Sequence, residues 1–140
     1  TGDRRVRAVA VESPYDRPEE MVGLLVNRSG LGSLPLVAPM ARWGFGWINY
    51  KYRKVPPLRI NLGKLIGVAQ LYLESPDDPV LAGYTSKLFR DSPLPHELAV
   101  LPHGNYGGML DEEKHNYENR IVSFFLVNLP PAGDPSPLAQ

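Results

Sequence analysis

Three short, almost wholly apolar runs, each stopped by turn-forming residues, constrain the fold of this chain more than any other feature. Val6-Arg7-Ala8-Val9-Ala10-Val11 ends at Glu12-Ser13-Pro14, and Val68-Ala69-Gln70-Leu71-Tyr72-Leu73 ends at Glu74-Ser75-Pro76-Asp77-Asp78-Pro79. Glu97-Leu98-Ala99-Val100-Leu101 ends at Pro102-His103-Gly104. Strands wet on one face alternate apolar and polar residues, whereas runs without that alternation fit strands covered on both faces, as in a parallel sheet. Between the second and third runs, Tyr84, Lys87, Leu88 and Arg90 fall in a stretch that fits a helix, closed by Asp91-Ser92-Pro93. Strand, helix, strand is the crossover unit that joins parallel neighbours. The predicted class is α/β: a partial parallel sheet of three strands with flanking helices.

Further helices follow from local signals. Asp111-Glu112-Glu113 suits the positive start of a helix, after which Tyr117, Ile121, Phe124, Phe125 and Leu129 recur near helical spacing. Between the first two strands, helices are expected over Pro18 to Arg28 and Leu36 to Arg53, separated by Ser29-Gly30-Leu31-Gly32-Ser33. Pro18 fits a first helical turn, while Gly44 and Gly46 weaken the second helix. Its aromatic residues Trp43, Phe45, Trp47, Tyr50 and Tyr52 suit either a core or the lining of an opening. Residues 130–140, rich in proline and without an apolar pattern, are expected to form a disordered tail. No internal repeat is present.

Composition excludes several classes of partner. Lys plus Arg equals Asp plus Glu at 15 each, so no net field draws in nucleic acid or an acidic membrane surface. Without cysteine there is no disulfide, thiolate metal site or cysteine nucleophile. Pro35, Pro39 and Arg42 interrupt the most apolar stretch, so no membrane span is expected. His96, His103 and His115 lack metal-ligand spacing, and neither a metal nor a cofactor is expected. Tyr50-Lys51-Tyr52-Arg53-Lys54 mixes aromatic and basic residues but is short, and fits a solvated helix end.

Taken in order, these segments resemble the C-terminal part of an α/β-hydrolase domain. Leu73-Glu74-Ser75-Pro76-Asp77-Asp78-Pro79-Val80-Leu81 resembles the strand-to-loop segment that carries the acid of a catalytic triad in that family. Glu97 to Leu110 and the helix ending at Leu129 resemble the last strand, the histidine loop and the closing helix. Val6 to Pro14 looks like the strand after the nucleophile helix, leading into a helical cap from Asp16 to about Ile60. The resemblance spans residues 6–129 and implies a portion of a hydrolase-like domain, with further strands expected upstream of Thr1. The Gly-x-Ser-x-Gly elbow that bears the serine in this family is absent, Gly30-Leu31-Gly32-Ser33-Leu34 being a cap loop.

The resemblance implies ester or amide hydrolysis of a small-molecule or peptide substrate, with this chain supplying acid and base to a nucleophile from the missing N-terminal half. Serine attack needs an imidazole to take the proton and a carboxylate to fix the imidazole's tautomer. Asp78 is preferred to Asp77 as the acid, against the plainer reading that both begin a turn and helix. Aligning Gly107-Gly108-Met109 with the glycine-rich element after the catalytic histidine puts Tyr106 in the base position. A phenol, protonated at neutral pH, does not replace imidazole there. His103, three residues earlier, is the other candidate, provided that its loop takes a different path. The alternatives are a non-catalytic hydrolase-like binding domain with Tyr106 marking the lost base, and a small binding domain unrelated to hydrolases.

Overall fold

A computed structural model describes residues 6–50, 55–104 and 106–129. Strands β1 (Ala8–Glu12), β2 (Ala69–Glu74) and β3 (His96–Val100) form one open sheet in the order β1-β2-β3, with both pairings parallel. Helices α1 (Pro18–Arg28), α2 (Val37–Ile48) and α3 (Leu58–Leu62) separate β1 from β2. Helix α4 (Pro79–Asp91) joins β2 to β3, and α5 (Asp111–Asn128) follows β3. Short 3-10 turns lie at Leu31–Ser33 and Tyr106–Gly108.

The central strand is buried on both faces, as its uninterrupted apolar run predicts: Leu71 and Tyr72 are fully covered and Leu73 nearly so. Side chains alternate across the pleat. Ala69, Leu71 and Leu73 pack with Ala8, Ala10 and Ala99 against Met109, Ile121 and Phe124 on the α5 side. Tyr72 packs on the opposite side with Val11, Leu98, Leu62 and Leu88 under α3 and α4. There its hydroxyl bonds Gln70 Oε1 at 2.9 Å and the Ser92 hydroxyl, while Gln70 Nε2 donates to the Pro93 carbonyl at 3.3 Å. These polar atoms therefore stay satisfied inside the core. Burial pushes the Tyr72 phenol above its ordinary pKa, an effect that the Ser92 contact partly offsets.

Among the described residues, both outer strands present a free edge. The Ala69 amide donates to Arg7 O at 3.1 Å and the Ser13 amide to Leu73 O at 2.9 Å. The odd-numbered residues of β1 thus bond to β2, and Ala8, Ala10 and Glu12 turn their backbone groups away from it. On the other side, the β3 edge starts after Pro95 and carries His96 and the Glu97–Arg120 ion pair.

Several boundaries differ from the sequence expectations. Helix α2 stops at Ile48 rather than Arg53, with Asn49 closing its last turn through a bond from its side-chain nitrogen to Phe45 O at 3.1 Å. Residues 51–54 and the expected tail at 130–140 lie outside the described residues. Helix α3 has too few residues for an apolar period to be visible. Strand β3 starts at His96, one residue before the apolar run read from sequence, with the His96 ring centroid 4.3 Å from that of Phe89.

Candidate functional site

Because the strands are parallel, their C-terminal ends meet along one rim, which receives Glu12 from β1, Asp77 and Asp78 after β2, and the 101–104 loop after β3. The loop leaving β3 folds back over the end of β2. Gly104 comes so close that an added Cβ would stand 3.2 Å from the Ser75 Cβ, and Ser75 is buried. A side chain at Gly104 would therefore push the two loops apart.

This approach brings His103 to Asp77. Nδ1 of His103 stands 3.2 Å from Asp77 Oδ2, and the Gly104 amide donates to the same oxygen at 3.1 Å. The Asp77 amide donates to Ser75 Oγ at 3.3 Å, so the backbone of Asp77 and that of Gly104 both lie against one buried serine. Nε2 of His103 faces Glu113 Oε1 at 3.8 Å, beyond a normal hydrogen bond. The pair sits on an open rim, with 46% of the His103 and 49% of the Asp77 side chain exposed. A cleft of about 670 Å³ lies elsewhere, between the Pro14–Glu19 loop and the Val55–Leu58 segment.

Asp78, the acid preferred from sequence, does not meet an imidazole. Its carboxylate accepts from the Val80 and Leu81 amides, both at 3.1 Å, which makes it the N-cap of α4 with Pro79 in the first turn. Its second oxygen pairs with the Arg28 guanidinium, tying the end of α1 to the start of α4. Asp78→Ala removes the cap and the ion pair and is expected to destabilise the protein by about 1–2 kcal/mol. Asp78→Asn keeps a capping oxygen and should cost under about 1 kcal/mol. Chemical denaturation of the two variants checks this, and equal losses would contradict the capping role.

Tyr106 turns away from Asp77 and Asp78. Its hydroxyl donates to Glu118, and its ring lies 5.7 Å from Tyr117, centroid to centroid, so it packs on α5. The Glu118 carboxylate holds the Tyr106 proton and raises its pKa. Tyr117 was expected only as a helix core position, yet its hydroxyl donates to Glu12 Oε2 at 2.8 Å and fastens α5 to the end of β1. Partial burial and then that bond push the Tyr117 phenol up to about 12.

A phenol whose pKa is higher folded than unfolded binds its proton more tightly in the native state. Its stabilising contribution is complete below about pH 10, the unfolded value, and is lost as pH rises towards 12. The thermal midpoint should therefore fall over this window, and Tyr117→Phe should flatten that fall. Identical alkaline profiles for the two proteins would remove Tyr117 from the effect.

Among the described residues, no group of three or more His, Asp or Glu side chains could hold a metal ion, and no helix is long and apolar enough to cross a membrane. Comparison with protein-family models, with curated proteins and with solved structures yields no match.

Proposed function

We propose that this chain is the acid–base portion of an α/β-hydrolase-like enzyme that cleaves ester or amide bonds, its nucleophile belonging to a preceding half of the same domain. The observation that carries this reading is the Asp77–His103 pair at the C-terminal rim of a parallel sheet, where α/β proteins place ligands. Asp77, accepting from Nδ1, holds the ring so that Nε2 is the nitrogen free to take a proton from an attacking hydroxyl. The roles are therefore Asp77 as orienting acid and His103 as base. Asp78 caps α4 beside them, and Tyr106 braces the loop against α5.

The order of elements supports the same reading: strand, helical insertion, strand, helix, strand, loop, closing helix. A second reading, a non-catalytic hydrolase-like binding domain, is favoured by the Glu113 carboxylate on the Nε2 side of His103. The test is turnover of an aryl ester by the longer protein, with and without His103→Gln. Abolished turnover in an otherwise folded variant is the expected result. If wild-type protein turns over neither aryl esters nor anilides, the non-catalytic reading takes its place.

A further inference from the structure

The cleft beside the Pro14–Glu19 loop is separate from the His103 rim, since neither His103, Asp77 nor Glu113 lines it. Its two walls are bonded to each other through Asp16. The Leu58 amide donates to the Asp16 carbonyl at 3.0 Å and the Arg59 amide to Asp16 Oδ1 at 2.9 Å, while Arg59 Nε lies 3.4 Å from the other carboxylate oxygen. Asp16 is also held to α1, its own amide donating to Glu20 Oε2 at 2.8 Å. One residue thus ties the loop after β1 to the starts of both α1 and α3, and the space between the walls is framed by bonded backbone.

The lining suits a ligand that is itself stiff and apolar. Pro14, Pro18, Pro56 and Pro57 present rings with no rotamer freedom to lose, so a ligand seated on them costs little side-chain ordering. Tyr15 and Val55 add apolar surface that is open to solvent. Proline and tyrosine rings are flat and rigid, which favours a flat ring as their partner. At about 670 Å³ the cleft falls within the range of small-molecule sites, roughly 300–1,000 Å³. Its first lining residue, Pro14, lies two positions past β1, at the strand-end rim where α/β proteins place ligands.

Charge narrows the ligand further. Asp16, Arg17 and Glu19 line the cleft and Arg59 is bonded to Asp16, so two carboxylates stand with two guanidinium groups. A charged ligand would give up its hydration here with no net opposite charge to receive it. Neutral polar capacity is still open: among the described residues, neither the Tyr15 hydroxyl nor the Asn61 side-chain amide has a hydrogen-bond partner. We propose that this cleft binds an uncharged, ring-bearing small molecule, with its apolar body on the proline rings and a polar group on Tyr15 or Asn61. The proposal does not rest on the hydrolytic reading, and each can fail without the other.

The test is calorimetric titration of the chain with naphthol and with its two charged analogues, naphthoate and naphthylmethylammonium. Naphthol should bind about ten-fold or more tighter than either analogue. Tyr15→Ala should weaken naphthol binding by about ten-fold, and Val55→Trp, which fills the cleft, should abolish it, both with unchanged circular dichroism spectra. Val127→Ala, on the exposed side of α5, should bind as wild type does. Wild-type protein that takes up no naphthol at about 1 mM overturns the proposal, as does equal binding by wild type, Tyr15→Ala and Val55→Trp. A preference for either charged analogue overturns it too. So does a proline-rich peptide that binds more tightly and displaces naphthol, because the cleft would then be a groove for extended chain.

Discussion

Asparagine in place of Asp77 should lower ester turnover of the longer protein by about four orders of magnitude, the scale expected when a triad loses its carboxylate but keeps its shape. An amide at this position can offer its NH2 to Nδ1, which stabilises the tautomer with the proton on Nε2. That nitrogen then no longer accepts a proton from the nucleophile. Asparagine in place of Asp78 is the internal control, because it can still cap α4 and touches no imidazole. Its turnover should stay within about a factor of three of wild type, as a well-tolerated cap replacement predicts. Rates of the two variants, compared at matched folded fractions, decide the assignment. If Asp78→Asn loses activity and Asp77→Asn keeps it, the acid has been misplaced by one residue.

The largest stability effect is expected at the centre of the sheet. Leu71 is completely buried between β1 and β3 and packs into the cluster that includes Leu101, Met109 and Phe124. Leu71→Ala removes three carbons' worth of burial and leaves a cavity that flanking strands cannot easily fill, which costs about 3–5 kcal/mol. Domains have only about 5–15 kcal/mol in total, so urea unfolding should move to a much lower midpoint. Val100 on β3 is 64% exposed, and Val100→Ala should shift stability by less than about 0.5 kcal/mol. A small loss at Leu71 would mean that the two sheet faces are less tightly packed than their burial indicates.

The three strands and their parallel pairing were legible because burial on both faces leaves a mark in sequence that survives without tertiary information: unbroken apolar runs ending in Pro and Gly. Helices α4 and α5 were legible for a related reason, since their inner faces repeat at helical spacing. The carboxylate that meets the imidazole is Asp77 rather than the expected Asp78, and a local signal for the role of Asp78 was available. In Asp78-Pro79 the first residue is a preferred N-cap and the second a preferred first-turn residue, which commits the Asp78 carboxylate to backbone amides. The meeting of Asp77 with His103 depends on how closely Gly104 can approach Ser75, a contact between loops that no spacing encodes. The exposed stripe of Met40, Trp43 and Trp47 on α2 shows the opposite failure. Its apolar period predicts a helix well, but periodicity does not say whether the apolar face looks in or out.

The backward fold of the loop over Ser75 has a consequence for reach. Neighbouring strands lie about 4.8 Å apart, so a nucleophile raised on a strand bonded to the open side of β1 would start about 14 Å, three spacings, from the axis of β3. An imidazole held directly above β3 would have to cover that whole distance. His103 instead meets the carboxylate that follows β2, the neighbouring strand on the side of β1. Under the proposed hydrolytic reading, glycine at position 104 would serve reach, since it admits the close approach to Ser75 that accompanies this contact.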